Sequence, residues 1–234
     1  MNINNTSLTF SSAANPIKPF VIMTKHGKLN ISEVSARDKK RKFFFYNLAK
    51  FFLKNFASST KDPALEFIKH KKTDYYEKSI KEYTQYYKAK VNNNNKDMTL
   101  LLVKDKRNKI QGACLSYGYD IFDGTADSVC YIDSIAINPI YRGFNIGKIL
   151  IEKTLYSAKN KFSDSFLTGD KSAFEFYKKL GFVPLNKNNS KQKIIIDYLS
   201  KRLSAYPKYV ELFNKPLQEN TPRWYTKIDL ETEL

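Results

Sequence analysis

From Val129 to Ile137 the chain alternates: Val129, Tyr131, Asp133, Ile135 and Ile137 occupy one set of positions, and Cys130, Ile132, Ser134 and Ala136 the other. Both sets are largely apolar and rich in β-branched residues, the pattern of a strand buried on both faces. Asn138-Pro139 ends it, because proline lacks the N–H a ladder needs and restricts the residue before it. Ile151, Leu155 and Ala158 then recur at helical spacing, with Ile149, Leu150 and Thr154 beside them, and predict a helix. Residues 162–167 read as another short strand. Residues 171–180 read as a helix closed by Gly181 as its cap, and residues 182–185 begin a further strand.

Upstream, residues 1–19 are polar and aperiodic, as expected of an unstructured extension. Residues 20–23 suggest a first strand that turns at His26-Gly27. Residues 35–56 predict one long helix with Ser35 as N-cap. Phe44, Phe45, Leu48, Phe51, Phe52 and Phe56 form its apolar face, and Lys39, Lys40, Lys42, Lys50 and Lys54 fall mostly elsewhere. Such a stripe can lie on a membrane surface, but packing on a sheet is the favoured reading. Residues 63–69 make a short second helix and residues 74–91 a third, with Tyr76, Ile80, Tyr83, Tyr87 and Val91 along one face. Those tyrosines can pack with their hydroxyls at the rim.

Residues 92–95 are a polar linker. Residues 98–103 and 110–120 read as a hairpin around Asp105-Lys106-Arg107-Asn108, and Asp123-Gly124 turns the chain into the central strand. Past a loop at 186–190, residues 191–203 fit a strand or a helix, the helix being favoured. Residues 207–217 read as a helical or irregular part of an insertion spanning about 187–220, and residues 223–230 as the closing strand. The whole reads as one α/β domain from residue 20 to 234, with an extended helical part at 35–91.

Composition narrows the chemistry. A chain of 234 residues suits one domain with extensions. No apolar run reaches the length of a membrane span, and the N-terminus lacks the order of a signal peptide, so a cytoplasmic protein is expected. A Ser/Asn-rich leader, as on secreted bacterial effectors, is the alternative. The two cysteines, Cys114 and Cys130, fall in predicted strands without metal spacing and read as buried reduced thiols. Two histidines, His26 and His70, argue against a histidine-rich metal centre or a histidine triad; no metal is expected. The net charge of +17 admits nucleic acid, an anionic membrane or an acidic partner. Arginine is scarce, however, and the richness in Lys, Asn, Ile, Phe and Tyr matches an AT-rich genome, so a nucleic-acid partner is not favoured. Oligomeric state is not legible.

The candidate chemistry lies at Tyr141-Arg142-Gly143-Phe144-Asn145-Ile146-Gly147-Lys148, between the central strand and its helix. The first amides of a helix have no internal partner and its dipole favours negative charge there, so this junction suits an anion. Gly143 and Gly147 have no side chain to obstruct a phosphate, Asn145 tolerates positive φ, and Arg142 and Lys148 add charge. An ordinary turn with surface cations is the competing reading.

Two motifs add to this. Arg142 to Gly147 follows the pattern Arg/Gln-x-x-Gly-x-Gly/Ala with Asn145 in place of the first glycine. Asp170, Ala173, Phe176, Tyr177, Gly181 and Phe182 follow Asn-x-x-Ala-x-x-Phe-Tyr-x-x-x-Gly-Phe with Asp in place of Asn. In these the chain resembles the Gcn5-related N-acetyltransferase (GNAT) superfamily.

The resemblance implies the acyl-CoA N-acyltransferase fold, a mixed central sheet with helices on both faces, and direct acetyl transfer from acetyl-CoA, as co-substrate, to an amine on a small molecule or protein. Ile135, Ala136 and Ile137 would pair with the pantetheine arm, a backbone amide there polarising the thioester carbonyl. Residues 142–148, with the amides of Arg142, Gly143, Phe144, Asn145, Ile146, Gly147 and Lys148, would hold the pyrophosphate. Asp170 would contact CoA, as an acceptor but not a donor. Tyr177 would protonate the departing thiolate, or else be a core tyrosine. Asp133 shares the face of Ile135 by alternation and would be the base or amine anchor, or else a hydrogen-bonded structural group. The helices between the first two strands would help form the acceptor site, which makes Tyr76, Tyr83 and Tyr87 candidates for substrate contacts. A non-catalytic CoA-binding or nucleic-acid-binding module that keeps the fold is the alternative.

Overall fold

A computed structural model describes residues 17–59, 74–92, 97–120, 128–162, 164–185, 188 and 193, and the backbone of 210–216. Its framework is a sheet of eight strands: β1 (Phe20–Thr24), β2 (Gly27–Glu33), β3 (Thr99–Asp105), β4 (Ile110–Asp120), β5 (Ser128–Ile137), β6 (Asp164–Asp170), β7 (Val183–Pro184) and β8 (Val210–Pro216). Their order across the sheet is β1-β2-β3-β4-β5-β6-β8-β7. Every pairing is antiparallel except β5 with β6, which is parallel. A parallel pair needs a crossover, and the helix between these two strands supplies it.

The helices are α1 (Ala36–Lys39), α2 (Phe44–Ser59), α3 (Asp74–Asn92), α4 (Ile146–Ala158) and α5 (Phe174–Lys179). They cover both faces. On one, Phe44, Leu48 and Phe52 of α2 and Tyr87 and Val91 of α3 pack on Leu100, Leu102, Ala113 and Leu115. On the other, Ile149, Leu150 and Leu155 of α4 and Tyr177 of α5 pack on Leu101, Val103, Cys114 and Ile132. Cys114 and Cys130 are buried and unpaired, and burial pushes both thiols up to about 12. No helix among the described residues is long and apolar enough to cross a membrane.

Several elements differ from the pattern-based expectation. The helix predicted over 35–56 is broken. Ser35 does cap it, in a reciprocal capping box with Asp38, but Asp38 also pairs with Lys104 of β3 at 2.5 Å, which ties the first turn to the sheet. A continued helix would also bring like charges together at three- and four-residue spacing, Arg37 with Lys40 and Arg41 and Lys39 with Lys42, and the chain restarts at Phe44.

Strand β2 was not expected, although Leu29 and Ile31 alternate with polar residues in the manner of a half-buried strand, and both are fully buried. Residues 210–216, within the stretch 207–217 that reads as helical or irregular, are a strand between β6 and β7. Pro216 stands at its last position, where the chain leaves the strand. The short helix expected at 63–69 and the closing strand expected at 223–230 lie outside the described residues, as does nearly all of the helix favoured for 191–203.

Candidate active site

The loop after β5 is built by its sequence. Asn138 accepts from the Ile140 amide and donates to Gln111 Oε1 at 2.7 Å, fixing a single 3-10 turn over Pro139–Tyr141. Gly143 then takes φ +87°, a backbone that side chains resist. Asn145 takes φ 57° and ψ 6°, the left-handed region, and is the N-cap of α4 without a side-chain capping bond. It therefore stands in the conformation that suits the glycine of the motif, and asparagine is one of the few other residues that adopts it routinely.

The first bond within α4 runs from the Ile149 amide to the Asn145 carbonyl at 2.9 Å, and the amides before it face out of the helix end. Arg142, Gly143 and Asn145 are exposed, Phe144, Gly147 and Lys148 half-buried. Ile146 is buried, so its contribution to an anion is confined to its backbone. A Cβ on Gly143 would meet nothing within 4 Å. The loop is an open cradle of the kind a phosphate fits.

Gly147 has a different reason to be small: a Cβ there would stand 3.2 Å from Cζ of Phe176 on α5 and 3.8 Å from Cγ1 of Ile137. Three elements meet at this point, the end of β5, the start of α4 and α5. His26, in the β1–β2 turn, braces the loop from outside, its ring edge-on to Tyr141 at 5.7 Å and to Phe144 at 5.9 Å. The sequence offered no signal for that contact.

Beside the loop, β5 and β6 part. Their pairing runs Cys130 to Ser165, Tyr131 to Phe166 and Ile132 to Leu167, and goes no further, although β5 continues to Ile137 and β6 to Asp170. On its β6 side, the segment holding Ile135, Ala136 and Ile137 thus has no strand partner among the described residues. A backbone edge left open in this way can pair with an extended, amide-bearing ligand. Asp170 ends β6, its backbone paired with Val210 of β8.

Asp133 departs from its expected face. Leu115 lies opposite Ser134 and Ser116 opposite Ile132, so Asp133 is the extra residue of a β-bulge. The bulge breaks the alternation that would put it with Ile135. Ile135 packs with the α4 side, whereas Asp133 meets α3. Its Oδ1 accepts from the Tyr86 hydroxyl at 2.5 Å and the Tyr117 hydroxyl at 3.2 Å, and its Oδ2 from Ser134 Oγ at 2.7 Å. Ser134 Oγ lies 3.1 Å from the hydroxyl of Tyr87. The Lys90 ammonium sits over the Tyr117 ring at 4.1 Å and the Tyr86 ring at 5.7 Å.

Burial raises the Asp133 carboxyl above the usual carboxylate range, against the hydrogen bonds of Tyr86, Ser134 and Tyr117 and the charge of Lys90, which lower it. Burial, then the Asp133 charge, also push the hydroxyls of Tyr86 and Tyr117 well above the ordinary tyrosine value. Of this cluster the sequence pointed to Asp133 and Tyr87. It missed Tyr86, Tyr117 and Ser134, because only the bulge turns Asp133 toward them.

Tyr177 lies on the opposite side of the sheet. It is 7% exposed, its ring tilted against Phe176 at 5.3 Å and edge-on to Phe182 at 6.1 Å. Gly181, at φ +79°, ends the helix: its amide bonds the Lys178 carbonyl and the Phe182 amide bonds the Tyr177 carbonyl. This is the expected glycine cap, and it folds Phe182 back under Tyr177. Phe176 touches Gly147 across the gap, so α5 is seated on the loop. Asp133 thus makes its hydrogen bonds on the α3 side of the sheet, and Tyr177 packs in the core on the α4 side.

Fold and site together define a mixed-sheet protein with a strand–loop–helix anion cradle beside a split between two parallel strands. The chain belongs to the acetyltransferase (GNAT) family, whose profile matches residues 65–182, just over half of it. Solved structures agree on the fold. PaiA N-acetyltransferase from Thermoplasma acidophilum, solved in complex with coenzyme A, matches with a TM-score of 0.52 at 14% identity, over 80% of this chain and 98% of that one. A protein from Pyrococcus horikoshii OT3 matches with a TM-score of 0.53 at 13% identity, over 80% and 98%. No curated protein sequence matches the chain.

Proposed function

We propose that the protein transfers an acetyl group from acetyl-CoA to a primary amine by direct attack. One observation carries this reading. The β5–β6 pairing stops at Ile132 and Leu167 while both strands run on, leaving an open strand edge that starts beside Asp133 and ends at the anion cradle. Acetyl-CoA as substrate has parts to match: a pyrophosphate for the amides after Gly143, an amide-bearing arm for the edge at 135–137, and a thioester that would then lie between Asp133 and Tyr177.

In the reaction Asp133 removes a proton from the acceptor ammonium, the amine attacks the thioester carbonyl, and Tyr177 protonates the leaving thiolate. An amide of the open edge stabilises the carbonyl oxygen as charge develops. Asp170, at the end of β6, is assigned the CoA contact that the family motif gives its position, and Arg142 and Lys148 screen the pyrophosphate. The non-catalytic alternative draws its support from the departures at Asn145 and Asp170; the first is weak support, since Asn145 holds the backbone a glycine would.

The loop assignment is tested through Asn145. Asn145→Gly should bind CoA at least as well as wild type by calorimetry. Asn145→Val forces a β-branched residue into a left-handed conformation, at about 1–2 kcal/mol, and should weaken CoA at least about tenfold, or 1.4 kcal/mol. Equal affinity in both variants would mean that CoA does not sit on this loop.

A further inference from the structure

The Asp133 carboxylate has no simple approach for an ammonium. Oδ1 already accepts two hydroxyls, from Tyr86 and Tyr117. Oδ2 is turned toward Ser134, itself 6% exposed, and through it toward Tyr87, fully buried. Of the four hydroxyls in the chain Tyr87–Ser134–Asp133–Tyr86/Tyr117, that of Tyr117 belongs to a residue 5% exposed, whereas Tyr86 is 36% exposed. Tyr86 is the one member that stands at the surface and touches the carboxylate directly.

We propose that Tyr86 meets the acceptor amine and relays its proton to Asp133. The inference rests on the acetyl-transfer reading and deepens it. In the step, an N–H bond of the ammonium breaks and its proton goes to Tyr86 Oη. The Oη–H bond breaks in concert and that proton goes to Asp133 Oδ1. The products are a neutral amine and a protonated Asp133, and Tyr86 stays neutral throughout. A tyrosine whose ionisation is strongly opposed by burial and by the adjacent carboxylate suits a carrier that never bears charge. Tyr117 and Ser134 are positioning residues: they hold the carboxylate in the bulge. Lys90, on α3 with Tyr86, is the cation facing the cluster among the described residues, and Cys114 of β4 feels the Asp133 charge from the other side of the sheet.

The test compares Tyr86→Phe with Tyr117→Phe. Each removes one hydroxyl from Oδ1 and keeps its ring. Carbon-13 NMR of the ligand-free protein should show the Asp133 carboxyl titrating at higher pH in both, because each variant loses a bond that favours the charged form. Kinetics should then separate them. Tyr86→Phe should lose at least about 10²-fold in the high-pH plateau rate, with CoA affinity by calorimetry unchanged. Its loss should exceed that of Tyr117→Phe by at least about tenfold.

A Tyr86→Phe plateau equal to or above wild type would overturn the relay, because the hydroxyl would then only compete with the amine. An unchanged NMR titration in both variants would overturn it too, by removing the contacts it needs. Asp133→Asn separates the two levels of the account. If it is inactive while Tyr86→Phe is active, the relay alone falls. If it is fully active, Asp133 is no base and the transfer mechanism fails with it.

Discussion

Tyr177→Phe should lower turnover by about 10²- to 10⁴-fold, the usual loss when a general acid is removed, and leave CoA affinity close to wild type. The ring is what packs: it lies against Phe176 and Phe182 within the core under α4. Phenylalanine keeps that packing, and losing one hydroxyl costs about 1 kcal/mol of stability. A large fall in kcat with CoA binding kept and the melting temperature lowered by no more than about 2–4 °C is therefore the signature of a proton donor. If turnover is unchanged, Tyr177 is a core tyrosine and another group, or water, protonates the thiolate.

Asp133→Asn should have an effect of similar size at neutral pH, with a different pH signature. The base works when ionised, so activity in the wild type should fall as pH drops through its pKa. Burial holds that pKa above the ordinary carboxylate range, so the acidic limb should lie higher than a surface aspartate would place it. The asparagine variant should be slow throughout and lack that limb, its rate rising only as the amine itself loses its proton. Persistence of the limb would assign it to another group.

Much of the scaffold was legible because its signals are local. The double-sided apolar run at 129–137, its stop at Pro139, the N-cap at Ser35 and the glycine cap at 181 depend on neighbours in sequence, and each stands where the pattern predicts. Asn145 was readable for the same reason, since few residues take positive φ. What escaped depends on partners distant in the chain. The break after Lys39 follows from Asp38 reaching Lys104 across 66 positions. The strand at 210–216 takes its ladder from β6 and β7, both distant in the chain.

The site follows the same division. Loop and helix residues were found from their motifs, but the bulge at Asp133 is a two-strand property, set by how β4 and β5 come into register. It moves the carboxylate from the face of Ile135 to that of Tyr86 and Tyr117, and no alternation count reveals it. Gly147 was readable as an anion-loop glycine, whereas its contact with Phe176 shows a packing demand at the same position.

Catalysis of acetyl transfer can be measured with radiolabelled acetyl-CoA offered to a panel of primary amines and to cell lysate. The account predicts an acid-stable labelled amide on at least one acceptor, formed in step with free thiol and reduced about 10²-fold or more in Tyr177→Phe and Asp133→Asn. Saturable CoA binding with no labelled amide on any acceptor, or amide formed equally by both variants, would contradict it.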